Sequence, residues 1–239
     1  GYLDKPTVIN NVETFMAAAK IVVLGADWFR SLGTEQSSGT KLLSISGDCL
    51  RPGIYEFPFG VTINEILEAC GAEDVQAVQV AGAAGTTLPP AQFERRIAFE
   101  DVATAGSLMV FNQQRDLLEM VRNFAHFFCH ESCGFCTPCR VGGPLIKDLV
   151  EKVAGGHATQ YDLEEMKNIG QVMKQASHCG LGATAPNPVL DTLNNFPELY
   201  AGRLANSSYE PAFDLDAALS ISREITGRDD AGAHIRDES

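Results

Sequence analysis

The sequence has few basic residues and no long apolar run. Its 239 residues include 18 Lys and Arg against 31 Asp and Glu, which gives a formal net charge of −13. Nucleic acids and anionic membrane surfaces both attract basic faces, so this charge balance argues against either as a partner. The longest apolar stretches, such as residues 21–24 and 127–129, are far too short to cross a bilayer. We therefore expect no binding to nucleic acid and no direct membrane insertion.

Motifs of several enzyme classes are missing as well. The sequence contains no G-x-S-x-G elbow, no Walker loop, no H-E-x-x-H pair and no G-x-G-x-x-G loop. We therefore assign no catalytic residue. Seven cysteines without framework spacing argue against a disulfide scaffold and predict a reducing compartment, the cytoplasm. Because the chain starts at Gly1 rather than Met and shows no signal peptide, we expect either processing or a fragment of a longer polypeptide.

Four cysteines carry most of the information. Cys133, Cys136 and Cys139 form a C-x2-C-x2-C pattern, and Cys179 follows after thirty-nine intervening residues. A cubane iron–sulfur cluster needs one ligand at each of four corners, and three thiolates in one loop with a distant fourth suit that demand. The pattern predicts a [4Fe–4S] cluster, and a chain with a cluster but no substrate site is an electron relay.

Two other interpretations stay open at this point. Structural zinc also binds four thiolates, although usually through two separate C-x2-C pairs. In that case the same cysteines would stabilise the fold and have no redox role. A metal-free module that docks a partner through its acidic surface is the third interpretation. Neighbouring His126, His130 and His178 are interpreted as surface residues or residues behind the ligands. Arg140 either tunes the site or is an exposed residue at a helix start.

The first half of the chain predicts a small α+β unit. Asn11 caps a helix from Val12, and a polar linker, residues 33–39, ends the segment 1–40. Residues 41–112 then show two strands, a helix that starts with a capping box at Thr62, and further strands, which is the order of a β-grasp (ubiquitin-like) fold. The predicted elements are strands at residues 42–47, 54–57, 77–81 and 107–111, and a helix at residues 63–70.

The second half predicts a four-helix bundle. Apolar residues recur at spacings of three and four in residues 113–205, which indicates helices with one buried face each. We expect the first three cysteines in a loop between two helices and Cys179 after the third, and an acidic tail at 206–239 with a last helix at 213–226. Apolar residues mark three predicted helices, at Leu117–Phe128, Leu145–Val153 and Leu163–Met173. A fourth helix is predicted with Asn187 as its N-cap and Pro188 as its first helical residue. Cys49, Cys70 and Cys129 lack partners at ligand spacing and are interpreted as small buried apolar residues.

Two segments make the interpretation more specific. Residues 5–14 (KPTVINNVET) and 131–142 (ESCGFCTPCRVG) resemble the NADH-binding flavoprotein subunit of respiratory complex I and its soluble relatives. Residues 178–190 (HCGLGATAPNPVL) are most similar to the branch with the diaphorase subunit of NAD-reducing [NiFe] hydrogenases and the β subunit of NAD-dependent formate dehydrogenases. The resemblance covers essentially the whole chain.

The resemblance implies a flavin domain of which residues 1–40 are the end, then a β-grasp domain of the SLBB type, then the helical iron–sulfur domain. It also implies that Asn10, Asn11 and Thr14 line an FMN pocket and that Leu181 and Gly182 place the cluster beside the flavin. From the residues alone, the two asparagines are interpreted as a helix cap.

The implied activity is hydride transfer from NADH to FMN, followed by transfer of single electrons through the cluster. The implied acceptors are clusters of small partner subunits, of a thioredoxin-like [2Fe–2S] or ferredoxin-like type. Because the Gly-rich flavin loops are not in the sequence, we expect no NADH turnover by this chain alone.

Overall fold

The computed structural model describes residues 1–205 and 215–229. The chain divides into two compact units, residues 1–204 and 205–239. The first unit combines a five-stranded sheet with helices, which confirms the mixed α and β class predicted from the sequence. In the second unit the described residues contain one helix, Leu215–Thr226, so the predicted start at Phe213 lies outside the described part. No described helix is both long enough and apolar enough to span a membrane.

The chain begins with two short helices, α1 (Val12–Leu24) and α2 (Ala26–Arg30), of which only the first was predicted. Asn11 caps α1, because its side chain accepts a hydrogen bond from the backbone N–H of Glu13 at 2.8 Å. The Glu13 carboxylate also pairs with Lys41 and accepts the backbone N–H of Leu42 at 3.0 Å. These contacts join α1 to the first strand, although no residue of α1 is fully buried.

Five strands form one sheet in the order β2-β1-β5-β3-β4. β1 and β5 run parallel at its centre, and the other neighbours are antiparallel. One helix, α3 (Ile63–Cys70), crosses between β2 and β3; Thr62 and Glu65 form the predicted capping box, and Gly71 ends it in the left-handed conformation. The strands are β1 (Thr40–Gly47), β2 (Gly53–Pro58), β3 (Val75–Val80), β4 (Thr86–Leu88) and β5 (Ser107–Asn112).

One apolar core lies between this sheet and α3. Leu43 and Ile45 are buried while the residue between them is exposed, as the predicted alternation in β1 requires. Ile63 and Ile66 on α3 are fully buried against them. The short β4 escaped prediction because three residues carry too little periodic signal.

Six helices follow the sheet in residues 113–205. The first three of them bury their apolar faces in a second core that contains Val121, Val150 and Met166, all fully buried. The faces predicted for the first and third of these helices are confirmed. In the second helix Val153 is buried and Leu149 packs against the core as predicted, but Leu145 is 46% exposed and its neighbour Ile146 is buried instead. The helices are α4 (Leu117–Glu131), α5 (Thr137–Ala154), α6 (Gln160–Ala176), α7 (Gly180–Thr184), α8 (Asn187–Asn195) and α9 (Pro197–Ala201).

Two predicted helix starts are wrong. α5 begins at Thr137, well before residue 145, because the buried face through Cys139 and Ile146 packs continuously and overrides the two glycines and the proline at 142–144. α8 begins at Asn187 after Pro186 rather than being capped by Asn187. The Asn187 amide instead donates to the backbone oxygen of Ala84 at 2.8 Å, so tertiary contact decides this end.

Candidate iron–sulfur site

The four cysteines lie on two segments that precede helices. Cys136 directly precedes α5, and Cys139 is in its first turn, so the prediction that all three nearby cysteines lie in a loop is wrong for Cys139. Cys133 lies in the connection between α4 and α5, and Cys179 directly precedes α7. Pro138 favours the early start of α5, because a proline in the first turn has no N–H that the helix would otherwise use.

The two segments contact each other directly. The backbone N–H of His178 donates to the Cys136 thiol, and the rings of Phe135 and His178 meet edge to face at a centroid distance of 5.2 Å. The contact therefore joins the residue before Cys136 and the residue before Cys179. It brings the segment of the distant fourth cysteine to the segment of the first three, as the sequence predicted.

Gly182 allows α7 to lie against the start of α5. A Cβ atom at this buried residue would be 2.9 Å from Cys139 Cβ and 2.6 Å from Ser177 Oγ, closer than real Cβ atoms approach. Only glycine therefore fits between Cys139 and the turn that holds Cys179. The segment with Cys179 can lie beside the segment with the first three cysteines because residue 182 has no side chain.

The Cys133 loop folds back on Cys139. Gly134 has a φ of 75°, a left-handed conformation that glycine adopts without strain. Its backbone N–H donates to Ser132 Oγ at 3.3 Å, and that hydroxyl lies 3.3 Å from Cys139 Sγ. Ser132 thus connects the loop that carries Cys133 to the thiol on the helix.

The surroundings of Cys136 favour the thiolate, which is the form that binds metals. Hydrogen bonds from the backbone N–H of His178, and then from that of Cys139, hold the pKa of the Cys136 thiol below its usual value. The Ser177 hydroxyl contributes in the same direction. Ser177 Oγ is buried and faces Cys136, the one group of the described residues to which its hydroxyl is directed.

The site has a buried side and an open side. Cys139 is 7% exposed, while Cys133 and Cys179 are exposed. A zinc ion would need its thiolates about 2.3 Å from one centre. A cubane places its iron atoms at separate corners, and four thiols on two touching segments with directed N–H groups suit such a spread group.

Salt bridges hold the helices that present the cysteines. Glu151 on α5 accepts from Arg122 at 2.8 Å and lies 2.7 Å from His126, both on α4. Lys152 on α5 binds Asp162 at the start of α6 at 2.7 Å. Burial alone would raise the pKa of Asp162, but hydrogen bonds from Lys152 and from Thr159 outweigh it and lower the pKa.

The two asparagines predicted to contact FMN make local hydrogen bonds in this structure. Asn10 Oδ1 accepts the backbone N–H of Asn11 at 2.7 Å, and the Asn11 side chain caps α1, so both amides serve the local backbone. Thr14 is exposed on α1. In the part of the chain that the structure describes, no hydrogen bond joins these residues to Leu181 or Gly182. The FMN set stays a prediction.

The other sequence candidates take peripheral places. Cys129 is half-buried on α4, and burial raises its pKa. His130 is exposed beside Glu131, and Arg140 is exposed on α5. Sequence reasoning missed Ser132 and Ser177, whose only signal was their position next to the cysteine motifs.

Comparison with known proteins bears on this geometry. Residues 119–203 match the family model described as the NADH-ubiquinone oxidoreductase-F iron-sulfur binding region. That range includes all four cysteines and the helices that carry them. The match confirms the predicted [4Fe–4S] cofactor of the region.

The chain has relatives in the hydrogenase branch that the sequence indicated and also among the NADH-quinone oxidoreductases. It is 50% identical over 222 residues, 92% of this chain, to the NAD-reducing hydrogenase HoxS subunit alpha of Cupriavidus necator. It is 34% identical over 210 residues, 84% of this chain, to the F subunit of the NADH-quinone oxidoreductase of Mycobacterium bovis. The crystal structure of NAD+-reducing [NiFe]-hydrogenase in the H2-reduced state matches 99% of this chain at 49% identity and a TM-score of 0.82.

These matches confirm the resemblance and limit it. The chain spans 37% of the hydrogenase subunit, 47% of the mycobacterial subunit and 42% of the chain in the crystal structure. The relatives are oxidoreductase subunits by name. The activity of the longer proteins reaches this chain only as a proposal.

Proposed function

We propose that this chain is the electron-transfer portion of an NAD(H)-dependent oxidoreductase subunit. It would act between FMN reduced by NADH and the iron–sulfur clusters of small partner subunits, of a thioredoxin-like [2Fe–2S] or ferredoxin-like type. Cys133, Cys136, Cys139 and Cys179 would hold one [4Fe–4S] cluster. When bound, such a cluster accepts and releases one electron at a time. The observation that carries the proposal is the direct contact between the two cysteine segments.

The chain's own groups would hold and tune the site. The N–H groups of His178 and Cys139 point at Cys136 and would stabilise negative charge on its sulfur. Ser132 and Ser177 offer hydroxyls to the same region. Hydrogen bonds to cluster sulfurs raise the reduction potential, because they favour the more negative reduced form.

The domain division follows from the same interpretation. We propose that residues 1–40 end a flavin domain, that 41–112 form a β-grasp domain, that 113–205 form the helical iron–sulfur domain, and that 206–239 form an acidic tail. The strand order with parallel central strands supports the β-grasp assignment. We also propose that Asn10, Asn11, Thr14, Leu181 and Gly182 face FMN only when a complete flavin domain is present, and that this chain alone does not turn over NADH.

The cytoplasm is the compartment we propose. All seven cysteines are free thiols in the structure, and free thiols persist in reducing compartments. The hydrogenase branch is the parent that we favour over the respiratory branch, because the identity to the hydrogenase subunit is 50% against 34%.

The test is a redox cycle on anaerobically purified protein. Reduction with dithionite should bleach the visible absorbance, and one equivalent of oxidant per chain should restore it. The Cys136→Ser variant should lose the absorbance, while Cys129→Ser, which replaces a thiol outside the set, should keep it. A colourless chain that binds zinc and does not cycle would contradict the electron-transfer proposal. It would support the alternative, a docking module in which the four cysteines bind a structural zinc ion.

A further inference from the structure

A second pair of cysteines lies in the sheet unit. Cys49 follows β1, and Cys70 is the last residue of α3. Two backbone hydrogen bonds join their neighbourhoods: Leu50 N–H to the oxygen of Gly71 at 3.1 Å, and Arg51 N–H to the oxygen of Cys70 at 2.9 Å. Cys49 packs against the apolar core that contains Cys70. The turn after β1 and the end of α3 therefore hold the two residues side by side.

The two thiols differ in their access to solvent. Cys70 is fully buried, and its Sγ lies 3.3 Å from the backbone oxygen of Leu67. Burial and the neighbouring Cys49 raise the pKa of Cys70 to about 11, so it stays protonated at neutral pH. Cys49 is half-buried and lines a surface cleft of about 500 Å³. An external reagent therefore reaches Cys49 first.

We propose that Cys49 and Cys70 are a redox-active dithiol that closes to a disulfide by exchange with a low-molecular-weight disulfide. A disulfide needs Cα atoms within about 7 Å and Cβ atoms near each other. The two backbone hydrogen bonds between the turn after β1 and the end of α3, and the packing of Cys49 on the core that contains Cys70, bring these two residues together. Neither residue belongs to the cluster motif.

The exchange balances without further reactants. The Cys49 thiolate attacks one sulfur of the small disulfide, which forms a mixed disulfide and releases one thiolate. The Cys70 thiol gives up its proton to the thiolate released first, and its sulfur then attacks the Cys49 sulfur, which forms the internal bond and releases the second thiolate. The protons of the two cysteines end on the two released thiols. The protein is oxidised by two electrons, and the small disulfide is reduced by two.

The charge of the cleft selects the reagent. Asp48, Glu73 and Asp74 line it beside Cys49. Asp48 pairs with Arg115 at 2.8 Å, and the Arg51 guanidinium lies against Gly71 at the edge of the cleft, so three acidic groups face two basic ones. An anionic disulfide would be repelled there, while a cationic one would be attracted. Cystamine, a small cationic disulfide, is therefore the suitable probe.

The experiment treats the anaerobically purified full chain with cystamine and digests it without reduction, using a protease that cuts after Glu. Cys49 then lies in the fragment 36–56 and Cys70 in the fragment 69–73. The expected result is a linked pair of these fragments, about 2 Da below the sum of the two free ones, that separates on reduction. Cys129→Ser is the matched control and should give the same link.

Two variants separate the steps. Cys70→Ala should stop at the mixed disulfide, so fragment 36–56 should retain one cysteamine group. Cys49→Ser should leave Cys70 unmodified, because Cys70 is fully buried. No reaction at Cys49 in the native chain, or a mixed disulfide that persists in the wild type without the internal link, would overturn the proposal.

Discussion

Gly182 and Cys139 pack against each other so closely that a methyl group on Gly182 would lie 2.9 Å from Cys139 Cβ. The two residues belong to different segments of the cysteine site, one after Cys179 and the other at the start of α5. This contact fixes how near the fourth cysteine comes to the other three.

Replacing Gly182 with Ala should therefore separate the two segments. We expect a loss of about 1–3 kcal/mol in the free energy of unfolding, since overpacking forces such shifts, and a lower cluster content in the purified protein. Denaturant unfolding and iron analysis measure the two effects. Gly180→Ala is the matched control, because no described atom outside its immediate chain neighbours lies within 4 Å of a Cβ there. Equal behaviour of the two variants would contradict the role given to Gly182.

Removing the Ser177 hydroxyl should change the potential rather than the occupancy of the site. Ser177 Oγ is buried beside Cys136, and a hydrogen bond to a ligand sulfur raises the reduction potential. We expect Ser177→Ala to keep its iron and to titrate at a lower potential than the wild type in an anaerobic redox titration. An unchanged potential with full occupancy would show that the hydroxyl points elsewhere.

The stability of the helical part should depend on pH through the Asp162 carboxylate. Its carboxylate accepts from Lys152 at 2.7 Å and from the backbone N–H of Thr159 at 2.7 Å, and its side chain is 9% exposed. The pKa is lowered in the folded state, so this stabilisation is present above the unfolded pKa and is lost as the pH falls through the lower folded value.

The variant Asp162→Asn should therefore lose about 1–3 kcal/mol of unfolding free energy at neutral pH and much less below the folded pKa. Denaturant titrations at both pH values measure this difference. Lys152→Ala should cost under about 1 kcal/mol, because that ammonium is largely solvated and salt weakens its pairing. A cost for Asp162→Asn that does not change with pH would contradict the assigned charge state.

The main elements were predictable from the sequence where the local signals were strong. The capping box at Thr62 and the alternation around Leu43 and Ile45 led to correct bounds for a helix and a correct face for a strand. The cysteine spacing predicted which segments must meet, because the spacing of ligands is a property of the sequence itself.

The errors came from contacts between distant residues. Pro138 is a local signal for the early start of α5, but the packing of Cys139 that supports this start involves distant residues, and the Asn187 amide binds the backbone of Ala84 instead of capping its own helix. Ser177 gained its place beside Cys136 only through the contact of two segments about forty residues apart.

The central claim is that four cysteines bind one cubane cluster, and the iron and acid-labile sulfide content of the anaerobically purified chain tests it most directly. Low-temperature EPR after dithionite reduction accompanies the analysis. We predict about four irons and four sulfides per chain and a reduced-cluster signal, all lost in Cys179→Ser and kept in Cys129→Ser. One zinc per chain without sulfide, or iron that does not depend on Cys179, would contradict the account.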